Sequence, residues 1–310
     1  MLQYQALAKR MIQHGRAVSP TAYAYYVQWS KKKLPQRVAN ILASPDPPTF
    51  YDDDAVFEDL QQVYKTKWWP DYGYDGCSTW VRGLERSSVL LKRAEFSEPG
   101  LKVFETGCGD GLTGYLLHCY GDVVTINDME DYRDERAKPL SFVKGDICKG
   151  LPIESNSFDL ALSYNGFEHI DDPSLGLAEL VRICKPGGHI YINFCPLYCS
   201  ALGLHAWSFN MPYPQFLFSP EYIQKQVERL GISDLGQSTT CLQPTNKWRL
   251  EQFRRLWRNP ACSVVFLEEG KVDRFLNVID RFPGGFQGRG LTLEDVTTDS
   301  VSVLLRKHSK

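Results

Sequence analysis

From Leu101 onward short apolar runs alternate with helix-periodic stretches, and no other feature restricts the possible folds as much. KVFETG (102–107), VVTIND (123–128), SFVKGD (141–146), FDLALSY (158–164) and HIYINF (189–194) read as strands rich in β-branched and aromatic residues. LTGYLLHCY (112–120) and PSLGLAELVRICK (173–185) lie between them with helical spacing. Strands this short and apolar, separated by helices, are covered on both faces. The expectation is an α/β fold, a Rossmann-like doubly wound sheet. After Phe194 a Pro- and aromatic-rich stretch of about fifty residues interrupts the pattern. The alternation resumes with KWRLEQFRRLWRN (247–259), SVVFLEE (263–269) and SVSVLLRK (300–307). That makes seven strands, the seventh added at the sheet edge. The predicted organisation is a helical N-terminal extension or cap over 1–95 and an α/β domain over 96–310, interrupted by an insertion at 195–244.

Composition excludes several classes. With 43% hydrophobic and 23% charged residues the chain can build a real core. A formal net charge of -2 gives no general field for gripping nucleic acid. No apolar run approaches the ~20 residues of a membrane-spanning helix. The nine cysteines include no CxxC pair, which fits reduced thiols and a cytoplasmic protein. Residues 1–45 lack Asp and Glu but carry basic residues such as Lys9, Arg16, Lys32 and Arg37. A targeting segment or an anion-binding surface competes there with a helical extension bearing a solvated basic face. Tyr23, Tyr25, Tyr26 and Trp29 favour the extension.

The stretch VFETGCGDGLTG (103–114) is the most informative. A strand runs into closely spaced glycines and then a helix, which allows a sharp turn and a close approach of backbone to ligand. Gly109, Gly111 and Gly114 formally spell the dinucleotide fingerprint GxGxxG, and Asp128 lies where a ribose-binding acid would follow. An NAD-dependent oxidoreductase is therefore one reading. Glu105, at the end of the first strand, suits a cationic amino-acid moiety and would face a pyrophosphate badly. Asp146 ends the third strand, at the mouth where open α/β sheets bind ligands.

On these residues the chain resembles the class I S-adenosylmethionine-dependent methyltransferases, in particular the type 11 small-molecule group. ETGCGDG resembles the family's first motif, and FVKGDI, FDLALSYNGFEHIDDP and ICKPGGHIYI resemble the later ones in order. The resemblance implies S-adenosylmethionine as methyl donor. Gly107, Gly109 and Gly111 would approach its methionine part, with Glu105 near the ammonium group. Asp128 would take the ribose hydroxyls, Met129 the adenine face, and Asp146 with the Ile147 amide the adenine edge. Tyr164 would line the transfer cavity. For both aspartates a helix N-cap or turn role is the alternative.

The acceptor side is less legible. His205, in the insertion, and then His169, in FEHIDDP, are the candidate general bases, since histidine titrates near neutrality. A helix-start hydrogen bond is the competing role for His169. His118 and His189 read as structural. Ubiquinone-type O-methyltransferases hold a metal with a Glu-x-x-Glu-His arrangement. Here Asn165 replaces the first Glu, so no metal is expected from Glu168 and His169. Two aromatic clusters would roof the acceptor pocket or form a second core: Trp68, Trp69, Tyr72, Tyr74 and Trp80, and Trp207, Phe209, Tyr213, Phe216 and Phe218. The reading is methyl transfer to oxygen or nitrogen of a small molecule, such as a natural product, sugar or lipid-like metabolite. Its rivals are the oxidoreductase, a catalytically silent scaffold subunit, and a nucleic-acid or protein methyltransferase. The strand-four end lacks an Asn-Pro-Pro-Tyr-like sequence, against the base-methylating version.

Overall fold

The computed structural model describes residues 33–63, 75–206, 209–232 and 242–309. Two helices come first, α1 (33–42) and α2 (Asp54–Val63), followed by α3 (Gly76–Leu91). The alternating part comprises β1 (Lys102–Thr106), α4 (Leu112–Tyr120), β2 (Val123–Asp128), β3 (Ser141–Lys144), β4 (Phe158–Tyr164), α5 (Pro173–Ile183) and β5 (Cys184–Phe194). Then come α6 (Pro220–Leu230), α7 (Leu250–Leu256), β6 (Cys262–Lys271), α8 (Leu276–Arg281) and β7 (Thr298–Lys307).

The strands form one seven-stranded sheet in the order β3-β2-β1-β4-β5-β7-β6. β1 to β5 pair in parallel, whereas β7 runs antiparallel to both β5 and β6. The last strand is thus not at the edge, as expected from sequence, but between β5 and β6. Its residues explain the placement: Val301, Val303, Leu304 and Leu305 are fully buried, whereas Val264, Val265 and Leu267 of β6 are exposed. An interior slot suits the first set.

Strand alternation sorts the core into two layers. Phe104, Ala161, Ile190, Ile192, Val303 and Leu305 face α5 and α7. Val103, Leu160, Leu162, Tyr191 and Leu304 face the opposite layer, with Leu90 of α3 and Leu117 of α4. Gly83 lets α3 lie close on α4, since a Cβ there would meet Leu112 Cβ at 3.0 Å. α3, assigned to the extension on sequence, therefore covers the donor sheet. α5 starts where it does because Asp172 accepts from the Ser174 and Leu175 amides ahead of Pro173.

A third core lies apart from the sheet. Val38 and Leu42 of α1, Phe57 and Leu60 of α2, Phe209, Phe218 and Val227 of the insertion, and Val278 and Ile279 of α8 bury one another. Phe57 sits at the centre, edge-on to Phe209 at 5.2 Å and Phe218 at 5.4 Å. Arg37 clamps Asp280 through two bonds of 2.9 and 2.8 Å, so part of the basic run is tied down. The insertion aromatics Phe209, Tyr213, Phe216 and Phe218 are buried in this core. Of the two roles weighed on sequence, pocket roof or separate core, the structure gives them the core. Trp68, Trp69, Tyr72, Tyr74 and Trp207 lie outside the described residues, as do the four aromatics near residue 25. Among the described residues no helix is long and apolar enough to cross a membrane.

Candidate functional site

The carboxyl ends of β1 to β4 open into one cleft of about 560 Å³, within the usual range for a small-molecule site. Gly107 and Gly109 line its floor with φ of 66° and 53°, the left-handed region that a side chain disfavours. Gly111, with φ of 71°, does not border the cleft as expected but packs against Ile126 and Ala137. A Cβ on Gly107 would stand 3.3 Å from Gly166 Cα, so the glycine loop and the turn after β4 meet backbone to backbone.

Asn127 fastens three strand ends. Its amide donates to the Val143 and Gly145 carbonyls at 2.7 and 3.0 Å, and its oxygen accepts from the Thr106 hydroxyl at 2.7 Å. The neighbouring Asp128 thereby faces the cleft, where Oδ2 accepts from the Gly109 amide at 2.9 Å and Oδ1 from the Met129 amide at 2.7 Å. Each oxygen keeps a lone pair for a further donor. Burial raises its pKa above the ordinary carboxylate value, partly offset by those two amides. Met129 is 56% exposed on the cleft wall, an apolar side chain that a flat ring would cover. Asp146 and Ile147 also line the cleft. Asp146 caps the turn after β3 by accepting from Cys148 N at 2.9 Å, and its other oxygen meets Lys149 at 3.2 Å. The N-cap role weighed on sequence is therefore present.

Two predicted residues stand elsewhere. Glu105 does not border the cleft. It is fully buried beneath the glycine loop, where Oε2 accepts from the Gly114 amide at 2.9 Å. Burial pushes its carboxyl up to about 8. Tyr164 follows Leu160 and Leu162 onto the α3/α4 face of the sheet, as period two requires, and packs near Tyr191 and under the Arg86 guanidinium. Sequence reading passed over Arg82 and Arg86, which reach the cleft from one face of α3. Arg82 meets Asp110 of the glycine loop at 3.3 Å. Their spacing of four on a helix was the available signal.

The opposite wall carries Glu168, His169 and His205. Glu168 and His169 sit on the turn after β4, whereas His205 comes from the insertion with a left-handed φ of 59°. The two imidazoles meet edge-on with centroids 4.8 Å apart. His169 Nδ1 donates to Pro244 O at 2.7 Å and His205 Nε2 to Pro196 O at 3.2 Å. Burial, then the neighbouring His169, lowers His205 to about 3, which removes the near-neutral basicity its general-base role assumed. Burial pushes Glu168 up to about 8. Asn246 straps the 242–249 segment over this wall: it donates to the Phe167 and Ile170 carbonyls at 3.0 and 3.2 Å, and its backbone amide to Glu168 O at 2.9 Å. The His118 and His189 side chains have structural partners, the Asp122 carbonyl and the Phe96 ring.

A dinucleotide-binding sheet continues with a parallel sixth strand; here an antiparallel strand intervenes. Residues 104–192 match the profile of a family described as a methyltransferase domain. Residues 104–192 thus carry a class I S-adenosylmethionine-dependent methyltransferase domain. The chain is 33% identical over 168 residues to a malonyl-[acyl-carrier protein] O-methyltransferase from Erwinia billingiae, covering 51% of this chain and 63% of that protein. It is 32% identical over 106 residues to 2-methyl-6-phytyl-1,4-hydroquinone methyltransferase 1, chloroplastic, from Oryza sativa subsp. japonica, covering 32% of each. A ubiquinone biosynthesis O-methyltransferase from Vibrio atlanticus is 26% identical over 63% of this chain and 87% of its own length. Of the first two relatives' lengths this chain thus spans less than two thirds. A solved structure of the PH0226 protein from Pyrococcus horikoshii OT3 aligns at 16% identity and TM-score 0.45, over 79% of this chain and 98% of that one. The family's methyl donor is S-adenosylmethionine.

Proposed function

We propose that the protein transfers a methyl group from S-adenosylmethionine to an oxygen or nitrogen atom of a small-molecule acceptor, such as a natural product, sugar or lipid-like metabolite. The observation that carries this is a cleft with two chemically different ends. At one end lie an open glycine floor, a carboxylate with spare lone pairs and an exposed methionine. These fit the donor: Gly107 and Gly109 would hold the methionine part, Asp128 the ribose, Met129 the adenine face, and Asp146 with Ile147 its edge. At the other end Glu168, His169 and His205 face the same space. The two bacterial relatives are named as O-methyltransferases, which favours oxygen.

The bound donor supplies an electrophilic methyl on a sulfonium. The chain's own contribution is alignment and exclusion of water, a proximity effect. The Asn246 strap closes the acceptor end, and Arg82 and Arg86 offer positive charge to an anionic substituent on the acceptor.

Calorimetric titration tests the donor end. S-adenosylmethionine or its demethylated product should bind the wild type, and NAD should not. Asp128→Ala removes charged hydrogen bonds worth about 1.5–3 kcal/mol each and should weaken binding tenfold or more. Unchanged affinity in the variant refutes the site; preference for NAD refutes the function. Formation of the demethylated donor across a panel of hydroxyl and amine acceptors tests the transfer.

A further inference from the structure

We propose that Glu168, His169 and His205 together bind one divalent transition-metal ion at the acceptor end of the cleft. Sequence spacing argued against a metal, because Asn165 stands where a second carboxylate would be needed. The fold supplies the third donor from elsewhere. The insertion carries His205 to within reach of the β4 turn, and one potential ligand atom from each of the three residues lies within 4.8 Å of the others. Donors around a tetrahedral ion at about 2.0–2.2 Å stand roughly 3.4 Å apart. Closing that gap requires side-chain adjustments of about an ångström.

Three independent observations support the assignment. The first is tautomer control. A carbonyl oxygen can only accept, so the contact with Pro244 O places the proton of His169 on Nδ1, and the contact with Pro196 O places that of His205 on Nε2. The basic nitrogen of each ring is then Nε2 of His169 and Nδ1 of His205. Metal-binding histidines are oriented in this way, with the second ring nitrogen donating to a backbone carbonyl. In His169 the basic nitrogen is the one that faces Glu168, 3.9 Å from Oε1.

The second observation is an orphaned acid. Glu168 is 4% exposed, and its Oε2 is buried without a hydrogen-bond partner among the described residues. Burying such a group without a partner is costly, and a cation is the partner its chemistry suits. The third is backbone conformation. A left-handed φ at a residue with a side chain costs energy and persists where the surroundings enforce it. Here it accompanies the orientation of the His205 ring toward His169.

Two imidazoles and one carboxylate suit zinc, cobalt or ferrous iron better than magnesium or calcium, which prefer oxygen ligands throughout. Three protein ligands leave at least one coordination position, and all three residues line the cleft. An acceptor hydroxyl placed there would lose its proton more readily, because a bound cation lowers the pKa of a coordinated oxygen acid. That use of the ion rests on the methyl transfer proposed above, but binding of the ion does not.

The test uses the full chain, stripped with a chelator and dialysed. It is titrated with Co²⁺, followed by visible absorption, and with Zn²⁺, followed by calorimetry. One ion per chain is expected. His205→Ala, His169→Ala and Glu168→Gln should each weaken binding at least tenfold, while His118→Ala should leave it unchanged. Titration with the demethylated donor reports whether each variant is folded. A wild type that binds neither ion, or variants that bind both as well as the wild type, overturns the site. If the variants fail to fold, the wild-type Co²⁺ spectrum still decides: imidazole and carboxylate ligands give weak bands only, and intense thiolate charge-transfer bands would place the ion at cysteine instead. A wild type that takes the metal but no donor refutes the proposed transfer and leaves the metal site standing.

Discussion

Glu105 makes stability depend on pH in a direction opposite to most acids. The side chain is fully buried, Oε2 accepts from Gly114 N, and Oε1 has no partner among the described residues. Its pKa is about 8 in the fold against 4.5 for an ordinary glutamate, with burial the main cause. A raised folded pKa means that the native state holds its proton where the unfolded chain has lost it. The contribution is therefore complete below about pH 4.5 and is lost progressively as pH rises through 8. At 1.36 kcal/mol per pH unit the loss is at most about 3 kcal/mol at pH 7 and about 5 kcal/mol at pH 9. Glu105→Gln keeps an acceptor for the Gly114 amide but cannot ionise. Urea unfolding of both proteins at pH 5, 7 and 9 should show curves that diverge with pH, the variant becoming the more stable above neutrality. Parallel stability-against-pH curves would show that Glu105 is ionised in the folded protein, and the account of its burial would fail.

Other perturbations separate the two cores from the cleft. Phe57→Ala should cost about 3–5 kcal/mol, as for large core aromatics generally; denaturant midpoints measure this, and donor affinity in the folded fraction should be unchanged. Asn246→Ala frees the strap over the acceptor wall, so KM for the acceptor should rise several-fold while calorimetry finds the donor bound as before. Asn127→Ala unties the ends of β1, β2 and β3 and leaves buried carbonyls unpaired, at about 1–3 kcal/mol; it should lower both stability and donor affinity, read by the same two measurements.

The donor half was legible because it is contiguous and periodic. β2 and β4 match their predicted ranges, β1 ends one residue early, and Gly107, Asp128 and Asp146 line one cleft. The apolar residues of β7 fit an interior strand, but which neighbours it would pair with could not be read from them, since strand order is a property of the assembled sheet. Tyr164 was misjudged by facing: the end of a strand is a position, but period two decides which layer its side chain enters. The insertion aromatics were ambiguous because a pocket wall and a core demand the same residue types. Glu168 and His169 share one turn, but His205 comes from the insertion, so its meeting with them had no signature in spacing.

The third core has a consequence for synthesis. Its parts come from three stretches far apart in the chain: α1 and α2, the insertion, and the segment around α8. Helices α1 and α2 leave the ribosome before the rest of this core, yet their last partners emerge more than roughly two hundred residues later. At about 5–20 residues per second that is a wait on the order of ten to fifty seconds. The core of Val38, Leu42, Phe57 and Leu60 stays incomplete for that interval, while β1 to β5 can already pair. The nascent chain thus has a stage with its first five strands out and α1 and α2 still short of partners, which is the stage at which a holdase chaperone would find it.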